Sequence, residues 1–185
     1  MTCKKLSIST TVIFFSSIFL IAFIYYQYHL WHPLVPFRSF AFILLLNGIL
    51  AFPSAWLHET AHVEVIKRKG YSCDKKIGVI LPHVRSLEPV LLKDYRECIL
   101  APFVQSLVFA IIVILIVIGL GPFLPPSITV FFTMRAVIQL YGCAMDLYWA
   151  WIVRSLPDSW WAADCGKFSY VCPTKEKAIE FLADK

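Results

Sequence analysis

The chain has 185 residues, 59% hydrophobic and 16% charged, where a soluble domain carries about 25% charged residues. That excludes an ordinary soluble domain and points to one compact membrane protein. The net charge of +5, from 17 basic and 12 acidic residues, is modest, and nothing in its pattern calls for a nucleic-acid partner.

Roughly 20 apolar residues cross a bilayer, and four segments meet that length. The first runs over about 8–26 behind Lys4 and Lys5. No small-x-small cleavage site precedes "YYQYHLWHP", so a retained helix is expected rather than a signal peptide. The second, about 39–66, carries Asn47 and the stretch "HETAH". In the polar loop that follows, "KIGVILPHV" reads as a short strand closed by Pro82. Its edge would receive an extended substrate by strand addition; an interfacial connector is the alternative. His83 reads as a loop residue, with a fourth metal ligand as the other reading. The third segment, about 98–120, contains Gln105, and the fourth, about 127–153, contains Arg135 and Asp146. The tail from Trp160 reads as one strand and a terminal helix. The expected fold is therefore an all-α polytopic membrane protein of about four transmembrane helices. It would have a strand-containing cytosolic loop, a core over 1–157 and a small cytosolic C-terminal segment over 158–185.

Basic residues set the orientation. Eight lie between segments two and three (Lys67, Arg68, Lys69, Lys75, Lys76, Arg85, Lys93 and Arg96) and five follow segment four, whereas the connections 27–38 and 121–126 hold only Arg38. The positive-inside rule places both termini and the 67–97 loop in the cytosol of a multi-pass protein, in the cell membrane by expectation. The six cysteines show no paired zinc-knuckle spacing, so thiols rather than a disulfide framework are expected. Cys165 and Cys172 are a weak metal pair.

"HETAH" is H-E-x-x-H. On a helix, His58 and His62 lie about 40° apart, so both imidazoles reach one tetrahedral zinc while Glu59 reaches the water beside it. Hydrogen bonding of the histidines to a neighbouring helix is the plainer alternative. A third ligand is needed. Glu64 lies about 240° around the helix from His58 and faces away, and Glu88, Asp94 and Glu97 fall in or beside the polar loop. Asp146 is an acid inside an apolar segment, at a depth matching His58, roughly 7–13 Å from the cytosolic end. Asn47 and Arg135 each stand eleven residues outward of His58 and Asp146, as if two polar stripes faced one another. Snorkelling to the surface is the alternative for Arg135. Gln105 either lines the same cavity or makes a helix-packing hydrogen bond.

"HETAH", "ILAPF" opening the next helix, and an intramembrane aspartate followed by "FSYV" resemble the zincin peptidase family of short site-2-protease-like membrane zinc metalloproteases. The resemblance spans about 40–172. Leu147 follows Asp146 where site-2 proteases usually have glycine. The resemblance implies His58, His62 and Asp146 as Zn²⁺ ligands and Glu59 as catalytic base. The activity it implies is hydrolysis of a membrane-protein or peptide substrate near the cytosolic face. The rival readings are a non-catalytic metal-binding or transport protein and a helix-binding scaffold. Substrate and oligomeric state are not legible.

Overall fold

The computed structural model describes residues 2–6, 10–77, 82–164 and 169–183, without the side chains at 76, 77, 82 and 83. The elements run β1 (Lys4–Leu6), α1 (Thr10–Trp31), α2 (Phe37–Arg68), β2 (Cys73–Ile77), β3 (Pro82–Ser86), β4 (Val90–Leu91), α3 (Leu92–Leu120), a 3-10 turn (Gly121–Phe123), α4 (Pro126–Tyr141), α5 (Ala144–Val153), β5 (Trp161–Asp164), β6 (Ser169–Cys172) and α6 (Lys175–Ala183). Four helical stretches are long and apolar enough to cross a membrane: Thr10–Trp31, Phe37–Arg68, Leu92–Phe123 and Pro126–Val153. Phe15, Phe42, Leu115 and Ile118 lie exposed on them, a face that suits lipid rather than water.

The chain divides into two compact units. One gathers Met1–Ser9, Ala55–Pro102 and Met145–Lys185; the other holds Thr10–Ser54 and Phe103–Ala144. The divisions fall beside Pro53 in α2, Pro102 in α3 and the two residues Gly142 and Cys143 between α4 and α5. Proline removes a helical hydrogen bond and glycine weakens the helix, so each is a place where the backbone ladder breaks.

The described chain is mostly helical, and the strand-bearing unit holds more strands than the loop and tail were expected to supply. An antiparallel four-stranded sheet, ordered β1-β6-β5-β4, joins the first residues of the chain to the last, and β2 and β3 form a separate two-stranded sheet. The strand expected from Lys76 and closed by Pro82 is instead shared between the paired strands of a β2–β3 hairpin, in register from Cys73↔Ser86 to Ile77↔Pro82. Residues 78–81 lie outside the described residues. The tail holds two strands before its helix. Leu6, Val90, Leu92, Tyr95, Ile99, Val153, Ala162 and Val171 form the core beneath the larger sheet. Tyr95 anchors it, its hydroxyl 2.8 Å from Ser169 Oγ.

Register also overturns the thiol expectation at one pair. Lys4 faces Val171, so the next residues outward are Cys3 and Cys172, which are joined by a disulfide. Cys172 is therefore no metal ligand, and Cys165 lies outside the described residues. Pairing across 169 positions of sequence follows from strand register, which spacing alone does not reveal.

α2 ends in a Schellman motif. Gly70 sits at φ +86°, its N–H donates to Lys67 O, and the Tyr71 N–H donates to Ile66 O. A Cβ in that left-handed conformation costs about 1–2 kcal/mol, so glycine is the natural residue there. The turn it makes delivers the chain directly from the H-E-x-x-H helix into β2.

In the other unit, α1 packs on α4: Phe23, Ile24, Tyr28 and Trp31 lie against a cluster that includes Val130 and Met134. Ser17 Oγ meets the Tyr141 hydroxyl at 3.2 Å.

Candidate metal centre

α2 presents His58, Glu59 and His62 along consecutive turns, with the two imidazole centroids 5.1 Å apart and nearly perpendicular. Asp146 belongs to the same unit, in the first turn of α5. The fourth segment is not the continuous helix expected. It stops at Tyr141 and restarts at Ala144, so Asp146 is released from the α4 stripe and sits at a helix start, where a carboxylate is favoured by the dipole. Arg96 of α3 holds the other end of α5. Its guanidinium donates to the carbonyls of Val153 and Leu156 and pairs with Asp158, supplying donors that the last turn of a helix lacks.

Both imidazoles approach Asp146, each at a different carboxylate oxygen. His58 Nε2 lies 2.9 Å from Asp146 Oδ2, and His62 Nε2 lies 3.7 Å from Asp146 Oδ1. One nitrogen from each of His58 and His62 and one Glu59 oxygen also lie within 4.8 Å of one another. Two ligands each about 2.0–2.1 Å from a tetrahedral zinc stand about 3.4 Å apart, between the two aspartate distances.

The protonation pattern points the same way. His62 Nδ1 lies 2.8 Å from Cys98 O and donates to it, because a carbonyl only accepts. In the neutral ring that leaves Nε2 as a lone pair directed toward a carboxylate. Asp146 Oδ2 is buried with His58 Nε2 at 2.9 Å, an ion pair when His58 is protonated. The His62 acceptor nitrogen facing a carboxylate is a pairing that a divalent cation resolves. The residues form a candidate metal-binding group.

Glu59 is held by the hairpin: the Val84 N–H donates to Glu59 Oε2 at 3.0 Å. Lys75, facing Val84 across the hairpin register, fixes the hairpin to α2. Its ammonium donates to Trp56 O at 2.7 Å and to Thr60 Oγ1, and lies 3.6 Å from the Trp56 ring centroid. Burial holds the Lys75 pKa below that of an ordinary lysine, with Glu59 pulling it back up. These second-layer groups were not anticipated. Two of them, Val84 N and Cys98 O, are backbone atoms with no signature in residue identity; Lys75 was read only as part of a basic loop.

The remaining expected residues belong to the other unit. Asn47 and Arg135 are buried there, and Arg135 Nη1 donates to Asn47 O at 3.5 Å, so the guanidinium turns inward and does not snorkel. Gln105 is exposed, and the buried residue of that turn is its neighbour Ser106, which accepts from Gln139 Nε2 at 3.4 Å. One step around a helix is about 100°, enough to exchange the two faces. Glu64 is exposed, as expected, and the His83 side chain lies outside the described residues.

Comparison with protein-family models, with curated proteins and with solved structures finds no match for this chain.

Proposed function

We propose that the chain is a membrane-embedded zinc metalloprotease, acting on a membrane-protein or peptide substrate near the end of the spanning helices. The observation that carries this reading is the approach of His58 and His62 to Asp146, with Glu59 grouped beside the two imidazoles. The resemblance of "HETAH" and its flanks to site-2-protease-like enzymes agrees with it. Bound zinc would lower the pKa of water to about 7 and polarise a carbonyl. His58, His62 and Asp146 hold the metal in this reading. Cys98 O orients the His62 ring. Glu59 takes the proton from the attacking water and returns it to the leaving amine, and the Val84 N–H keeps its carboxylate in place until then. A pure transporter has no need of a carboxylate poised beside two ligands, which favours the enzyme over the ion-path alternative.

The expected result is that purified protein carries about one zinc per chain and cleaves a membrane peptide in a chelator-sensitive way. A folded protein that binds no zinc after reconstitution sinks this reading. One that binds zinc and cleaves nothing favours the scaffold or transport alternative.

On orientation, β1 and β6 share one sheet, which favours both ends of the chain on the same side of a four-span membrane protein. The positive-inside rule makes that side cytosolic. The Cys3–Cys172 disulfide favours the opposite, because such bonds persist in oxidising compartments. We take the charge bias as the stronger signal, since eight basic residues fall in one connection. Reporter fusions after residue 175 should read inside and fusions at 121–126 outside; the reverse pattern would put the metal site at the outer face.

A further inference from the structure

β1 has little of its own to hold it. It is three residues long, Lys4 and Lys5 are exposed, and only Leu6, 1% exposed, is buried. Where Leu6 goes matters. Its core is shared with Leu92, Tyr95 and Ile99 of α3 and with Val153 of α5. Cys98, next to Ile99, carries the carbonyl that accepts from His62, and α5 carries Asp146 in its first turn. Leu6 thus fills the core common to the two helices that support the metal residues, all within one compact unit. Chain ends fray unless something ties them down, because fixing each backbone residue costs conformational entropy. One leucine and a three-residue register offset little of that cost. What ties this end is the Cys3–Cys172 disulfide, one residue beyond the register pair Lys4↔Val171.

We propose that the Cys3–Cys172 bond is a thiol-reversible latch: its reduction releases β1 and loosens the core between α3 and α5 beneath the metal residues. The inference rests on the cytosolic placement proposed above and supplies a regulation of the site proposed there. Cytosolic disulfides are kept reduced unless they are catalytic or sense redox state, so a bond on that side behaves as a switch and not as a permanent staple. The positions suit exchange. Cys3 is half-buried whereas Cys172 is 0% exposed, so an incoming thiolate meets the Cys3 sulfur. The reductant is a dithiol. Its first thiolate bonds to Cys3 Sγ, the S–S bond breaks, and Cys172 leaves as a thiolate that takes up a proton. The donor's second thiolate attacks the mixed disulfide, and Cys3 leaves and is protonated in turn. Two electrons pass to the chain and the donor ends as a disulfide; the same steps in reverse close the latch. β6 keeps its four-residue pairing with β5, so opening is confined to β1 and the core that Leu6 fills.

The test compares the full chain in lipid nanodiscs, oxidised and then reduced with dithiothreitol, by amide hydrogen exchange. Reduction should speed exchange about tenfold at Lys4–Leu6 and again at Leu92–Ile99, well within what a disulfide usually contributes, and leave β2 and β3 unchanged. Cys3→Ser should match the reduced wild type and ignore the reductant. Where zinc is bound, reduction should also hasten its loss to a chelator. In cells expressing the chain, alkylation at lysis should trap both redox forms, in proportions that move with diamide. A pair that stays wholly oxidised or wholly reduced through that treatment overturns the proposal. So does a bond that resists dithiothreitol, or exchange at Leu92–Ile99 that is the same in both redox states, comparisons that need no variant to fold. A chain that never binds zinc would defeat the metalloprotease reading, while exchange would still decide the latch.

Discussion

Glu59→Gln is expected to keep zinc at the wild-type stoichiometry and to lower cleavage of a membrane substrate by about 10²–10⁴-fold, the usual contribution of a general acid–base group. The exchange is well suited to the site. Glutamine retains an oxygen that accepts the Val84 N–H, so the hydrogen bond between α2 and β3 is preserved and the side chain stays where it is. Only the ability to take a proton is lost. Glu59 is one step, about 100°, around α2 from His58, and in this reading it does not ligate the metal. Zinc content by elemental analysis and membrane proteomics of cells expressing either form measure the two halves of the prediction. Undiminished cleavage in the variant would rule out the mechanism, and lost zinc would make Glu59 a ligand.

Alanine at His58, His62 or Asp146 should each remove most bound zinc, lowering affinity by more than the roughly 10–100-fold that loss of an outer-layer partner costs. Asp146 is the informative position. Without it, two imidazoles remain and the charge that balances a divalent ion is gone. Glu64→Ala is the matching control, because Glu64 is exposed on the far side of α2. Zinc retained in a folded Asp146→Ala protein would move the third ligand elsewhere. Glu88 and Glu97 would be tested next, but the first accepts from Ser72 N at 2.7 Å and the second from Lys69 at 2.9 Å. Each already has a partner.

What could be read from residues alone had a physical pattern behind it. Four apolar runs found four long helical stretches, because hydrophobic length is a property of contiguous sequence. Asp146 was drawn to His58 by equal depth, and 2.9 Å now separates their atoms. Depth did not reveal the interruption at Gly142 and Cys143, since an apolar run looks the same whether its helix is continuous or broken. Gln105 and Ser106 differ by one helical step, finer than a periodicity argument resolves when both neighbours are polar. β1 has only three residues and pairs with a strand more than 160 positions away. No local signal announces such a partner, and Cys3 and Cys172 were missed for the same reason.

That strand has a consequence for the order of events during synthesis. β1 leaves the ribosome well before its partner β6, which follows more than 160 residues later. α2 arrives early with its two histidines, whereas Asp146 and the strands β5 and β6 follow roughly a hundred residues later. The four long apolar helices can therefore form one after another while the sheet and the metal residues remain incomplete. Closure of so many distant pairings is slow and belongs to the end of folding. A chain cut short before residue 146 would possess its membrane anchors but no third ligand. Whatever chemistry the finished site performs, the nascent protein is spared it until Asp146 has been added and packed beside α2.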